Sequence, residues 1–169
     1  MIIIGIDPGN AITGFGVIEK PKEKNAKAKA IDFGCIITDA GDEPGERLKR
    51  LHNELNKIIE KYKPEVLAVE RLFFFKNLKT VMPVSQAKGV ILLTAAKKKI
   101  PVFEFTPLQV KMAITGYGKA EKSQVKKMMD LHMDLSGFDL KLNNRKKDDA
   151  IDALGVALCY LISSYSKLS

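Results

Sequence analysis

Cysteine is almost absent from this chain: Cys35 and Cys159 lie far apart and form no Cys-x-x-Cys pair. That excludes a zinc knuckle and a disulfide framework, and it fits a reduced, cytoplasmic setting. Arginine is nearly as scarce. Arg47, Arg50, Arg71 and Arg145 are the whole complement, so the formal charge of +8 rests on lysine. Lysine attracts phosphate diffusely, whereas bidentate reading of base edges favours arginine; a polyanionic partner is expected, and sequence-specific groove reading is not. Long apolar runs are missing as well. The longest, GVILLTAA at 89–96, falls far short of the roughly 20 residues that cross a bilayer, and no basic leader precedes the opening isoleucines. No internal repeat, interdomain linker or low-complexity tract breaks the chain. Its 169 residues, 46% of them apolar, are therefore expected to form one domain over 1–169 around a single core.

What is present reads as an α/β pattern. Residues 2–7, 12–19 and 30–38 are short β-rich runs separated by Pro8-Gly9-Asn10 and by the charged segment at 21–29, which predicts an antiparallel meander. Leu48, Leu51, Leu55, Ile58 and Ile59 recur at helical spacing between Pro44 and Tyr62, and Pro64 ends that helix. A strand follows at 65–70. A second helix is expected from about Leu78 to Lys98, apolar on more than one face, with Ala87, Gly89, Ala95 and Ala96 permitting close approach to the sheet and to a second copy of the chain. After a strand at 100–105, Thr106-Pro107-Leu108-Gln109 carries a capping box with proline at the first helical position, opening a short helix to Ile114. Gly116 and Gly118 then interrupt the chain around Tyr117, either as a loop that lets backbone approach phosphates or as a plain turn. A basic helix begins near Ala120. Residues 134–147 read as a solvated loop, and DDAIDALGVALCYLI closes the chain as a helix.

Two of the strands end on carboxylates, and that is the chemical clue. A strand buried on both faces should be apolar throughout, yet the first stops on Asp7 and the fourth on Glu70. Asp149 and Asp152, three apart, share one face of the closing helix. If these elements meet, four acids converge, and like charges at short range cannot all stay ionised without a cation. The donors are all hard oxygens with no His or Cys among them, which points to Mg²⁺, with Mn²⁺ as a substitute. Two such ions about 3.5–4 Å apart would activate water against a phosphodiester and stabilise the leaving oxygen, which is nuclease chemistry. Each acid also has a plain structural reading. Asp7 could serve the turn, Glu70 could be a solvated strand end, and Asp149 and Asp152 could complement the helix dipole; Asp148 reads as just such a first-turn charge.

These residues carry a resemblance to the RuvC-type Holliday-junction resolvases of the ribonuclease-H-like fold. It runs through GIDPGNAITGFGVI, VLAVERLFFFKN, SQAKGVILL, FEFTPLQVKMAITGYGKAEKSQV and DDAIDALGVAL. It implies a five-stranded mixed sheet flanked by helices, a homodimer, a branch-migration helicase partner, and Mg²⁺-dependent paired nicking of four-way DNA junctions in recombination and repair. The family's acidic quartet falls on Asp7, Glu70, Asp149 and Asp152; some relatives carry His at the position of Asp149. Lys111 and Lys122 match basic positions near the scissile phosphate, and Phe73 matches a base-wedging aromatic. Three consecutive aromatics, Phe73, Phe74 and Phe75, cannot easily all enter one core, so at least one is available to stack on a base. Phe74, Tyr117 and Lys119 join Phe73, Lys111 and Lys122 as candidate DNA contacts. A two-fold dimer suits a junction with two equivalent strands.

The opening Asp-x-Gly also resembles the phosphate loop of actin-like ATPases and sugar kinases, but those need two such domains and this length supplies one. A junction-binding module without catalysis is a third reading.

Overall fold

The computed structural model describes residues 1–23, 26–39, 41–71, 78–138 and 145–166, excepting the side chains of 78–80, 145–147 and 166. The predicted meander is present as strands β1 (Ile2–Asp7), β2 (Ile12–Glu19) and β3 (Ala28–Ile37), each antiparallel to the one before. Helix α1 (Pro44–Tyr62) starts on its proline and stops at Lys63, which adopts the left-handed conformation. Then come β4 (Val66–Glu70), α2 (Leu78–Lys97), β5 (Val102–Phe105), α3 (Pro107–Thr115), α4 (Lys122–His132), β6 (Met133–Asp134) and α5 (Arg145–Ser166). The sheet order is β5-β4-β1-β2-β3-β6, with β4 parallel to both β1 and β5.

Two expectations need correction. The sheet has six strands rather than five, because Met133 and Asp134 pair parallel with Ala28 and Lys29. Two residues carry no readable alternation, and the same pairing draws the start of β3 back to Ala28. The closing helix begins at Arg145, so residues 145–147 are helical rather than part of a loop.

Alternation along the central strands sorts their side chains onto two layers. Ile4 and Ile6 of β1 and Leu67 and Val69 of β4 join Leu51, Leu55 and Ile59 of α1 and Ala87, Ile91 and Ala95 of α2 in one core. Ile3 of β1 and Val66 and Ala68 of β4 pack with α5, α3 and α4 in the other, around Leu154, Val156, Ala157 and Leu158. Continuing the period of two, Asp7 and Glu70 lie on the second face, the one α5 covers. Ala87 and Ala95, read from sequence as small residues for close approach, are both inside the monomer.

Candidate active site

The N-terminal part of α5 crosses the strand ends that carry the acids, and two glycines make the crossing close. A Cβ on Gly14 would stand 2.1 Å from the Asp149 carbonyl oxygen, and one on Gly5 would stand 2.1 Å from that of Ala153. Gly14 is also the residue paired with Asp7 across the β1–β2 ladder. The missing side chain therefore brings the helix carrying Asp149 against the strand pair carrying Asp7. Neither glycine is singled out in the sequence reading, although a glycine inside a strand, as Gly5 is in β1 and Gly14 in β2, is the kind of interruption that marks a close backbone approach.

The turn after Asp7 is held from behind. Arg47 of α1 donates to the Asn10 carbonyl and, at 2.9 Å, to the Asn10 side-chain oxygen, while the Thr38 amide donates to the Ala11 carbonyl at 2.9 Å.

Asp7, Asp149 and Asp152 each offer a carboxylate oxygen within 4.8 Å of one another, a grouping able to hold a metal ion. Glu70, one strand over, is close enough to act on the same field. Burial, then the charges of Glu70, Asp152 and Asp149, push the Asp7 carboxyl well above its usual range. Burial and Asp152 push Glu70 up to about 7, against the opposing pull of Lys122 and Lys111. Crowded oxygens of one charge, partly removed from water, make a donor set suited to a hard divalent cation. Three of the four sequence-predicted acids thus meet, and Glu70 lies near enough to couple electrostatically to Asp7 and Asp152 without joining their group.

The predicted lysines flank it. Glu70, Asp152, Lys111, Lys122 and Lys126 line one cavity of about 230 Å³ together with Pro107, Val110, Val125, Met129 and Ile151. Lys122 donates to Asp152 at 2.7 Å. Burial alone would lower its pKa, but that hydrogen bond and the nearby carboxylates prevail and hold the ammonium above the ordinary lysine range. Asp148 faces α4 instead: Lys126 binds it at 2.6 Å and keeps its carboxyl below the usual range.

Tyr117 and Lys119 are exposed in the α3–α4 connection. That connection is a hydrogen-bonded turn. Gly116 caps α3 with φ of 72°, the Thr115 hydroxyl accepts from the Tyr117 amide at 3.0 Å, and the Ala120 amide donates to the Tyr117 carbonyl at 3.1 Å. Phe73, Phe74 and Phe75 lie outside the described residues. Among the described residues, no helix is long and apolar enough to cross a membrane.

Residues 3–160 match the family model described as crossover junction endodeoxyribonuclease RuvC. The chain is 46% identical over 169 residues to the crossover junction endodeoxyribonuclease RuvC of Fusobacterium nucleatum, covering all of this chain and 84% of that one. It is 45% identical over 168 residues to that of Caldicellulosiruptor saccharolyticus, covering 99% and 96%. Among solved structures, Thermus thermophilus RuvC in complex with Holliday junction substrate superposes with a TM-score of 0.86 at 29% identity, covering 99% of this chain and 96% of the other. The fold, the family model and the full-length relatives agree: the chain belongs to the RuvC family of crossover junction endodeoxyribonucleases.

Proposed function

We propose that this protein is a structure-selective endonuclease that resolves four-way DNA junctions by hydrolysing one phosphodiester in each of two equivalent strands. The observation that carries the reading is the meeting of Asp7 with Asp149 and Asp152, with Glu70 coupled to them from β4, beside a cavity that Glu70, Asp152, Lys111 and Lys122 line.

In this reading Asp7, Asp149, Asp152 and Glu70 hold Mg²⁺, two ions per site, with Mn²⁺ as a substitute. Bound there, such ions supply Lewis-acid polarisation of the phosphate and a more acidic water. The chain's own side chains do the rest. Lys111 and Lys122 place positive charge at the mouth of the cavity, where a phosphate meets the carboxylates, and offset the repulsion between two anionic groups. The net charge of +8 draws junction DNA in, and binding should weaken steeply with salt. Tyr117 and Lys119, exposed beside the cavity's helices, extend the DNA-facing surface, and Phe73 and Phe74 are proposed to contact unpaired bases.

We further propose a homodimer formed through α2. Met82 and Leu93 are 67% and 59% exposed. With Gln86, Gly89 and Ala96, all exposed, they form an uncharged stripe along the outer face of that helix. A second copy would place one active site at each strand of a symmetric junction, and a branch-migration helicase would be the next partner.

Incubation of labelled four-way junctions with Mg²⁺ tests the function. Symmetrically paired nicks are expected from the native protein and none from Asp7→Asn. Binding by both proteins without nicking by either would favour a silent binding module.

A further inference from the structure

Asp148 is the acid that the carboxylate group leaves out, yet it is not idle. Lys122 of α4 stands between two carboxylates of α5, 2.7 Å from Asp152 Oδ2 and 3.9 Å from Asp148 Oδ2. Asp148 and Asp152 are four apart, so both lie on the helix face turned toward α4. The other Asp148 oxygen, Oδ1, is held by Lys126 Nζ at 2.6 Å. Lys126 thus fixes the carboxylate with Oδ2 left toward Lys122.

This arrangement sets up a competition. Asp152 is one of the three acids able to share a metal ion, and it also accepts the Lys122 ammonium. A divalent cation that draws on Asp152 must contend with that ammonium. Once displaced, Lys122 would either be released into water or pass to a neighbouring acid. Asp148 already lies within ion-pair distance, so transfer needs only a small shift and keeps the ammonium beside the cavity that Lys111 also lines.

We propose that Asp148 is a positioning residue, one that takes over the Lys122 ammonium when a divalent cation engages Asp152, with Lys126 holding it ready. The proposal rests on the metal-binding reading given above. It assigns a role to a carboxylate that would otherwise be a plain helix N-terminal charge, and to Lys126, which then acts through Asp148.

The test is Mn²⁺ binding, followed by the electron paramagnetic resonance signal of the free ion, on the native protein, Asp148→Asn, Lys122→Met and the double variant, with Asp7→Asn as the control for the metal site. The side chains of Lys122 and Asp148 are 50% and 43% exposed, so folding should survive, which thermal melts of each variant would check. Asp148→Asn should weaken Mn²⁺ binding roughly threefold to fivefold, the scale of one partly exposed ion pair. Lys122→Met should tighten it, and in that background Asp148→Asn should have little further effect. An equal loss in both backgrounds would overturn the proposal, because Asp148 would then act only as a distant negative charge. Failure of the native protein to bind Mn²⁺ would instead overturn the metal reading and this inference with it. Binding that is lost in Asp7→Asn, together with equal Asp148→Asn losses in both backgrounds, would remove this inference alone.

Discussion

The two faces of the sheet differ in what their helices are asked to do. On the α1/α2 face, Ile4, Ile6, Leu67 and Val69 meet Leu51, Leu55, Ile59 and Ile91, large side chains that keep the helices at ordinary packing distance. On the α5 face, Gly5 and Gly14 let helix backbone touch strand backbone, and the residues at the end of that contact are ionisable. Both faces contribute stability through buried volume. The α5 face in addition gives up side-chain volume at Gly5 and Gly14 for proximity, and it brings together carboxylates that repel one another until a cation or a lysine intervenes. Damage to the α1/α2 face should register as lost stability alone, and damage where α5 meets the strand ends as lost chemistry.

The largest contrast is expected from isosteric charge removal on the α5 face. Asp7→Asn and Asp152→Asn should each lower junction cleavage by roughly a thousandfold or more, the scale of losing an essential charged group, while junction binding by gel shift stays within a few fold. If cleavage stayed within tenfold of native, the carboxylates would not be the reaction centre.

Next comes Gly14→Val. Its side chain would begin 2.1 Å from the Asp149 carbonyl, so α5 must move away. Activity should fall by orders of magnitude, with a stability loss of about 1–3 kcal/mol from overpacking. Leu55→Ala, on the other face in a fully buried position, should cost about 2–5 kcal/mol and yet cleave nearly normally at low temperature. Chemical denaturation paired with cleavage assays separates the two. Equal activity losses at matched folded fraction would dissolve the contrast.

The third concerns pH. Glu70 is raised from an ordinary 4.5 to about 7, so between those values the native state holds a proton that the unfolded chain has released. Stability from this source is present below about pH 4.5 and lost as pH rises through about 7, by about 3 kcal/mol. Asp7 acts in the same direction. Metal-free protein should therefore melt lower at pH 8 than at pH 5, and added Mg²⁺ should raise the melting temperature more at the higher pH. On the α1/α2 face, the smallest effect is foreseen for Leu93→Glu. It should leave the monomer's melting almost unchanged while shifting sedimentation from dimer to monomer.

Much of this was legible in sequence because the decisive residues break local rules. Asp7 and Glu70 end apolar strands, Asp149 and Asp152 share a helix face, and the Thr106–Gln109 capping box forms as its spacing predicts, with the Gln109 amide donating to Thr106 at 3.1 Å. The parity that turns both strand acids toward α5 follows from strand alternation once the strands are known to be parallel neighbours. What stayed hidden depends on contacts remote in sequence. The two-residue β6 is created by pairing rather than by propensity. The importance of Gly14 lies in a carbonyl 135 positions away, and the role of Asp148 lies in lysines on another helix.

The most direct measurement is anomalous diffraction at the manganese edge from crystals soaked in MnCl₂. A peak coordinated by carboxylate oxygens of Asp7, Asp149 and Asp152 is predicted; manganese bound only elsewhere on the surface, with none among these side chains, would contradict the account.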